Sequence, residues 1–401
     1  MFGLSAGDMT NTLLTAGNIH PQDWSGKKIL FLLHWLELGG AERQALHLAR
    51  HLREHLGAEV EVWGFEAPGQ VARMCEKLRI ACRQVAFNFN DGRIAKLASL
   101  MRYVLKLRQF RPDVLLTYTM YPNLLAGLLW RIAGARGCVW QQRDEGRMRR
   151  SSLIEGRAVA FTPAFIANST AGWVFLQQSL RVPADRIRVV MNGVDLPTPV
   201  QGRKAWRMRH GIDDGTLVGC MVGNLHQYKD HETLLRAWRI VVDELRIQGL
   251  CSVLLLAGRF EDTHEKLKAL ALNLELGRNV RFLGSVNEIS ELLASVDLGV
   301  FSSRNEGCPN GVLECMASGL AVAATDIPGT RDALGEEGLS MLTPPGDHMA
   351  LAANIVRLLC DADLCRQEGE RNRRRVAQVF SLERMCAQMT EVIAGLLNNK
   401  G

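Results

Sequence analysis

A short β-rich run, a turn signal and then a stretch of apolar residues at 3.6-residue spacing recur along almost the whole chain. Strand-like runs fall at 29–34, 60–65, 82–86, 114–119, 138–142, 165–168 and 187–191, with helical spacing between most of them, as at 42–56 and 93–110. The rhythm then restarts with 217–222, 253–257, 280–283, 298–301 and 321–324, separated by helical segments such as 231–245 and 309–318. Such alternation demands parallel strands, because each strand needs a crossover helix before the next can run the same way. A length of 401 residues exceeds what one hydrophobic core normally serves. The proline-containing stretch Leu196-Pro197-Thr198-Pro199 can continue neither a helix nor a central strand, and it separates the two sets. The expected architecture is α/β: two doubly wound, Rossmann-like domains with a cleft between them. The expected bounds are a loose tail over 1–26, a first domain over 27–197, a second over 198–378 and a terminal helix over 379–401. Two helices are expected after Gly346, the last capped by Ser381.

Bulk properties exclude several classes. The ten cysteines are scattered singly, with no CxxC pair, which suits a reducing cytoplasm better than a disulfide scaffold. The first 26 residues contain no Lys or Arg and no continuous apolar stretch, unlike a signal peptide. The longest apolar candidate for a membrane span, 114–130, is interrupted by Thr117, Pro122 and Asn123. Charge divides unevenly. Residues 27–190 carry 25 Lys and Arg against 13 Asp and Glu, whereas 191–401 carry 23 against 27. A basic first half suits an anionic partner such as a membrane surface, a phosphorylated lipid or nucleic acid; a solvated basic face is the alternative. No helix-turn-helix, zinc-finger spacing or aromatic RNA-binding motif accompanies the charge, which disfavours nucleic acid. Helix 93–110 places Lys96, Arg102, Tyr103, Lys106 and Arg108 around an apolar set expected to face the core, and 143–157 adds five more arginines. An acceptor anchored in the inner leaflet would explain both, placing the chain on the inner face of the cytoplasmic membrane.

In doubly wound sheets ligands bind beyond the carboxyl ends of strands, at helix N-termini. The motifs sit there. Gly39 and Gly40 follow the first strand and open a helix, where glycine lets a ligand approach the backbone; a simple tight turn is the alternative. The pattern is not GxGxxG, which disfavours a dehydrogenase. Gly223 and Asn224 follow the first strand of the second domain, with Lys229 just before the next helix. Lys229 is placed to neutralise a phosphate or to remain a solvated surface lysine. The segment from Ser302 to Glu314 joins a loop carboxylate, Glu306, to a proline at a helix start and a second carboxylate, Glu314, one turn in. Amides near Asn310, Gly311 and Val312 are expected to face a diphosphate or its sugar. As alternatives, Glu306 caps that helix and Glu314 is merely exposed.

The set Gly39-Gly40-Ala41-Glu42-Arg43, Asn168-Ser169, Asn192-Gly193-Val194-Asp195, Lys229-Asp230-His231 and the Glu306/Glu314 pair, in this order and spacing, resembles the retaining family 4 glycosyltransferases of the GT-B fold. The resemblance implies transfer of a hexose from a UDP- or GDP-sugar to a glycan or lipid-linked acceptor, in cell-surface polysaccharide or lipopolysaccharide biosynthesis. It implies that Lys229 binds the donor diphosphate, Glu314 the ribose and Glu306 the transferred sugar, that no metal or other cofactor is required, and that the last helix returns to the first domain. Two departures stand out. Gly223-Asn224 replaces the family's frequent Gly-Arg, so either Lys229 carries more of the charge stabilisation or Arg143 or Arg147 assists it. Where many members carry a sugar-facing histidine in the first domain, this chain offers Tyr121, Arg143 and Asp144. A sugar-nucleotide epimerase of the same fold, or a non-catalytic sugar-nucleotide binder, are the alternatives.

Overall fold

The computed structural model describes residues 24–87, 92–146 and 152–398. It divides into two compact units: one contains the chain up to Gly193 together with the residues from Leu382, the other Val194–Ser381. The division thus falls at Gly193, ahead of the proline stretch at which the sequence places it, and the second crossing falls at Leu382. Of the tail expected over 1–26, only 24–26 lie within the described residues, and Trp24 is buried in the core of the first unit.

In the first unit, strands β1 (Lys28–Leu33), β2 (Glu59–Gly64), β3 (Ala81–Gln84), β4 (Val114–Tyr118), β5 (Gly137–Gln142), β6 (Ala164–Ala167) and β7 (Ile187–Val189) form a parallel sheet in the order β3-β2-β1-β4-β5-β6-β7. Helices α1 (Gly40–Glu54), α2 (Gln70–Lys77), α3 (Arg93–Phe110), α4 (Met120–Ala133), α5 (Leu153–Phe161) and α6 (Thr170–Val174) connect them. The central strands β1 and β4 are buried on both faces, which is why they read as nearly continuous apolar runs. On one face α1 and α2 share a core with the C-terminal helix, Leu382–Asn398, whose Met385, Met389, Ile393 and Leu396 pack among Leu46, Ala49 and Leu116. Arg136 on the loop before β5 donates to the Leu397 carbonyl at 2.7 Å. On the other face α3, α4 and α5 cover the sheet.

In the second unit, α7 (Arg203–Arg209) precedes β8 (Leu217–Val222), and α8 (His231–Ile247), β9 (Ser252–Ala257), α9 (His264–Asn273), β10 (Val280–Gly284), α10 (Ile289–Ala294), β11 (Leu298–Phe301), α11 (Asn310–Ala317), β12 (Val322–Thr325), α12 (Pro328–Leu334) and β13 (Leu342–Thr343) follow. The strands form a parallel sheet in the order β10-β9-β8-β11-β12-β13. Strand order reverses at β8, between β9 and β11, which marks the place where such sheets receive ligands. After β13 come three helices, α13 (His348–Cys360), α14 (Ala362–Val379) and α15 (Leu382–Asn398), where the sequence suggests two. Asp361 separates the first two: its carboxylate caps α14 by accepting from Leu364 N at 2.9 Å. β13 is a two-residue edge strand, too short to leave a periodic trace, followed at once by Pro344 and Pro345.

Candidate active site

Within the second unit, three strand ends meet. Beyond β8 the chain passes Gly223 and Asn224, forms a single 3₁₀ turn over Gln227–Lys229, and enters α8 through Asp230, whose φ is +47°. Three contacts from the β11 loop hold that turn. Ser303 Oγ donates to the Tyr228 carbonyl at 2.9 Å, Arg304 N donates to the same oxygen at 2.9 Å, and Ser302 Oγ donates to the Asp230 carbonyl at 2.9 Å. Both serines are fully buried, so these bonds are shielded from competing water. Their effect is to bring Lys229 against the loop that carries Glu306.

Lys229 Nζ lies 2.5 Å from Glu306 Oε1, with side-chain exposures of 13% and 11%. The same ammonium stands 5.2 Å from the Phe301 ring centroid and 5.7 Å from that of Tyr228, a favourable setting for a cation withdrawn from water. Lys229 is therefore no solvated surface lysine. Glu306 pairs with it rather than capping α11. Glu314, on the second turn of α11, is also buried, contrary to the exposed alternative. Burial, and to a lesser degree the Glu314 charge, push the Cys220 thiol on β8 up, which places this carboxylate near that strand.

The start of α11 is pressed onto the end of β8. A Cβ on Gly311 would lie 2.1 Å from the Val222 carbonyl oxygen, so no other residue fits without moving backbone. Of the three amides expected to face a ligand, that of Val312 donates to the Pro309 carbonyl at 3.1 Å and its side chain is buried, so Val312 serves the helix itself. Asn310 and Gly311 remain at the helix start, half-buried.

Asn224 is held by the loop after β9. Its Nδ2 donates to Glu261 Oε1 at 2.8 Å, and its Oδ1 accepts from Arg259 N at 3.2 Å. Arg259 in turn pairs with Glu261 at 3.1 Å. A guanidinium thus sits beside the position where the family often has one, supplied by the neighbouring strand. Sequence reasoning passed over Arg259, although its place directly after β9 and Gly258 was a signal. His231, noted in the sequence only as a member of the Lys229-Asp230-His231 motif and given no role there, opens α8 and is buried with neither ring nitrogen hydrogen-bonded. Burial first, and the adjacent Lys229 charge second, lower its pKa to about 3.

In the first unit, Gly39 caps α1 with φ −123°, extended backbone rather than a left-handed turn. A Cβ there would lie 2.6 Å from the carboxylate of Glu42, the movable end of a side chain that folds back against its own helix start, so neither space nor backbone conformation demands glycine at this position. Gly40 is the exposed first residue of that helix. Tyr121 stacks on His34 at the end of β1, ring centroids 5.1 Å apart, and burial lowers the His34 pKa. Arg143 and Asp144 line one small, partly open pocket, with Thr119, Gln141 and Phe175. Arg143 Nη2 donates to Asn192 Oδ1 at 2.7 Å, while Asp144 Oδ1 accepts from Gln142 Nε2 and Gly146 N, each at 2.7 Å. Tyr121 is not part of that lining. Arg147 lies outside the described residues. Gly193 exchanges hydrogen bonds with Gln44 and packs on Leu382, which gives the Asn192-Gly193 motif a structural task.

Among the described residues no three His, Cys, Asp or Glu side chains are grouped as metal ligands, and no helix is long and apolar enough to cross a membrane.

Comparison with known proteins bears on the family and the fold. The family model described as Glycosyltransferase Family 4 matches residues 38–197, and that of the Glycosyl transferases group 1 matches 216–361. The lipopolysaccharide core biosynthesis mannosyltransferase LpcC of Rhizobium leguminosarum is 31% identical over 264 residues, which span 62% of this chain and 71% of that protein. The chain belongs to the group 1, family 4 glycosyltransferases. This glycosyltransferase is also similar to the N-acetyl-alpha-D-glucosaminyl L-malate synthase of Bacillus anthracis, 27% identical over 48% of the chain and 49% of that protein. It spans about half the length of several of the curated relatives it matches. Among solved structures, HepE of Anabaena in complex with UDP and glucose superposes with a TM-score of 0.79 at 22% identity, over 92% of this chain and all of that one. The shared architecture is GT-B, with two parallel-sheet, Rossmann-like domains.

Proposed function

We propose that this glycosyltransferase moves a hexosyl group from a UDP- or GDP-linked donor to a glycan or lipid-linked acceptor, with retention of anomeric configuration and without a metal, in the synthesis of a cell-surface polysaccharide or lipopolysaccharide. The observation that carries the reading is the Lys229–Glu306 pair at the point where strand order reverses, beside the start of α11 and the buried Glu314. The binding of UDP by HepE and the mannosyl transfer named for LpcC support a nucleotide-sugar donor.

The pair suggests an exchange on binding. A diphosphate takes the Lys229 ammonium from Glu306, and the released carboxylate accepts hydrogen bonds from sugar hydroxyls. Glu314, one turn further along α11, accepts from the ribose. As the bond between the anomeric carbon and the phosphate oxygen breaks, negative charge grows on the departing phosphate. Lys229 and the α11 start stabilise that charge by preorganised electrostatics. The acceptor hydroxyl forms the new glycosidic bond, and its proton passes to the leaving phosphate, so no side-chain base is needed. Tyr121, Arg143 and Asp144 belong to the acceptor-side unit in this reading, and a lipid-linked acceptor sets the enzyme at the inner face of the cytoplasmic membrane.

Incubation with radiolabelled UDP- and GDP-sugars, with and without a lipid-linked glycan fraction, tests the reading. Label appearing in the glycan with the anomeric configuration of the donor is expected. Nucleotide released at the same rate without acceptor would favour an epimerase, and binding without turnover a sugar-nucleotide sensor; either result overturns transferase action.

A further inference from the structure

Helix α3 is apolar on two sides. Tyr103 and Leu107 are buried against the sheet, yet Ile94, Leu97, Met101 and Leu105 are 87%, 59%, 60% and 63% exposed. Their spacing of three or four residues aligns them in one row along the helix, opposite the core. The sequence suggested an apolar set facing inward; the structure turns half of it to solvent. A single exposed leucine is ordinary, whereas a continuous apolar row marks an interaction surface.

The row does not end with α3. Helices α4 and α5 pack beside it on the same face of the sheet, and Ile132, Leu153, Ile154 and Phe161 on them are exposed as well. Charge on this face has one sign. Arg102, Lys106 and Arg108 on α3, Arg131 on α4 and Arg157 on α5 are exposed, while the single acid in the three helices, Glu155, is buried. The far ends of the helices are tied together. Arg108 Nε donates to the Ile132 carbonyl at 3.0 Å, Trp130 Nε1 donates to the Phe161 carbonyl at 3.0 Å, and the Arg131 guanidinium lies over the Trp130 ring at 5.0 Å. Amphipathic aromatic and arginine side chains of this kind suit the headgroup layer of a bilayer.

We propose that the α3–α4–α5 face docks on an anionic lipid bilayer, the apolar row entering the boundary between headgroups and acyl chains and the arginines and lysines meeting lipid phosphates. Among the described residues of these three helices no acid is exposed; such a basic fringe selects an anionic surface over a neutral one, and the apolar row adds insertion to electrostatic attraction. The proposal extends the functional reading above to a defined surface, and its test does not depend on sugar transfer.

Flotation of the full chain with vesicles of phosphatidylcholine alone, or mixed with phosphatidylglycerol, tests it. Wild type is expected to float with the anionic vesicles only. Leu97→Glu with Met101→Glu should lower partitioning by more than about 100-fold, and Arg102→Gln with Lys106→Gln by roughly 30-fold. Thermal midpoint and donor turnover should stay unchanged in both, because these side chains are exposed and lie outside the donor site. Flotation of the apolar variant at the wild-type level would overturn the proposal, reducing the face to a solvated basic surface. A wild-type dimer in sedimentation velocity, made monomeric by the same variant and indifferent to lipid, would equally overturn it by seating a second copy on the row. A chain that floats as expected but transfers no sugar refutes the functional reading and leaves the docking surface standing.

Discussion

Replacing Lys229 should separate binding from stability in a way that only the observed pairing explains. In the free protein the ammonium and the Glu306 carboxylate are 2.5 Å apart and nearly nine-tenths removed from water. Lys229→Met leaves that carboxylate without its counter-charge. Fully buried pairs cost about 3–5 kcal/mol to break from one side, so this largely buried one should cost about 2–3 kcal/mol. Glu306→Gln should cost about as much by stranding the ammonium. The double variant should recover part of the loss, with a coupling of about 1–2 kcal/mol in urea unfolding. UDP binding by calorimetry should diverge. Lys229→Met should weaken UDP by roughly 10–100-fold through loss of a charge-assisted phosphate contact. Glu306→Gln should bind UDP as well as wild type or better, since Lys229 no longer has to be drawn off a carboxylate. Turnover should fall in both, by about 10²-fold or more for Lys229→Met. Equal weakening of UDP by both variants, or unchanged turnover in Lys229→Met, would refute the exchange on which the donor site is built.

His231 should give the protein an acid-sensitive stability term. In the unfolded chain its imidazole takes up a proton near 6.5, whereas the folded state resists protonation down to about 3. The unfolded state therefore binds more protons between those values, and stability falls as pH drops through that window, by about 2 kcal/mol between pH 7 and pH 5. His231→Gln should flatten this part of the pH profile in denaturant titrations; an unaltered slope would contradict the buried neutral imidazole. Gly311→Ala must push α11 off β8, because its Cβ would meet the Val222 carbonyl oxygen at 2.1 Å. A loss of about 1–3 kcal/mol and weaker UDP binding are expected. Gly215→Ala, where nothing lies within 4 Å, is the control and should leave both unchanged.

The strand–helix rhythm made most of the fold legible because each central strand, buried on two faces, must be apolar throughout, and each crossover helix must carry one apolar stripe. Strands β4, β8 and β11 and helix α3 lie within a residue of their expected spans. What escaped were features set by a few residues, such as the two-residue β13 and the Asp361 cap between α13 and α14. The α3 surface escaped for a different reason. A helix apolar on both sides has no single stripe for periodicity to orient, so the sequence set Tyr103 among the basic residues around a core-facing apolar set, whereas the structure buries Tyr103 and exposes Leu105. The site shows the same division. Residue types at strand ends announced Lys229, Glu306 and Glu314 one by one, since helix starts after parallel strands are where cations, glycines and carboxylates meet anionic ligands. Their pairing was invisible, because it depends on Ser302 and Ser303 pinning the 3₁₀ turn from a loop far along the chain. The Asn224 departure shows the consequence. Read as a sequence position it is a missing cation; in the structure it is a polar link holding Glu261 and Arg259 beside the β8 loop. A charge absent from one strand end can be restored from the adjacent one, because parallel strands deliver their loops to the same edge.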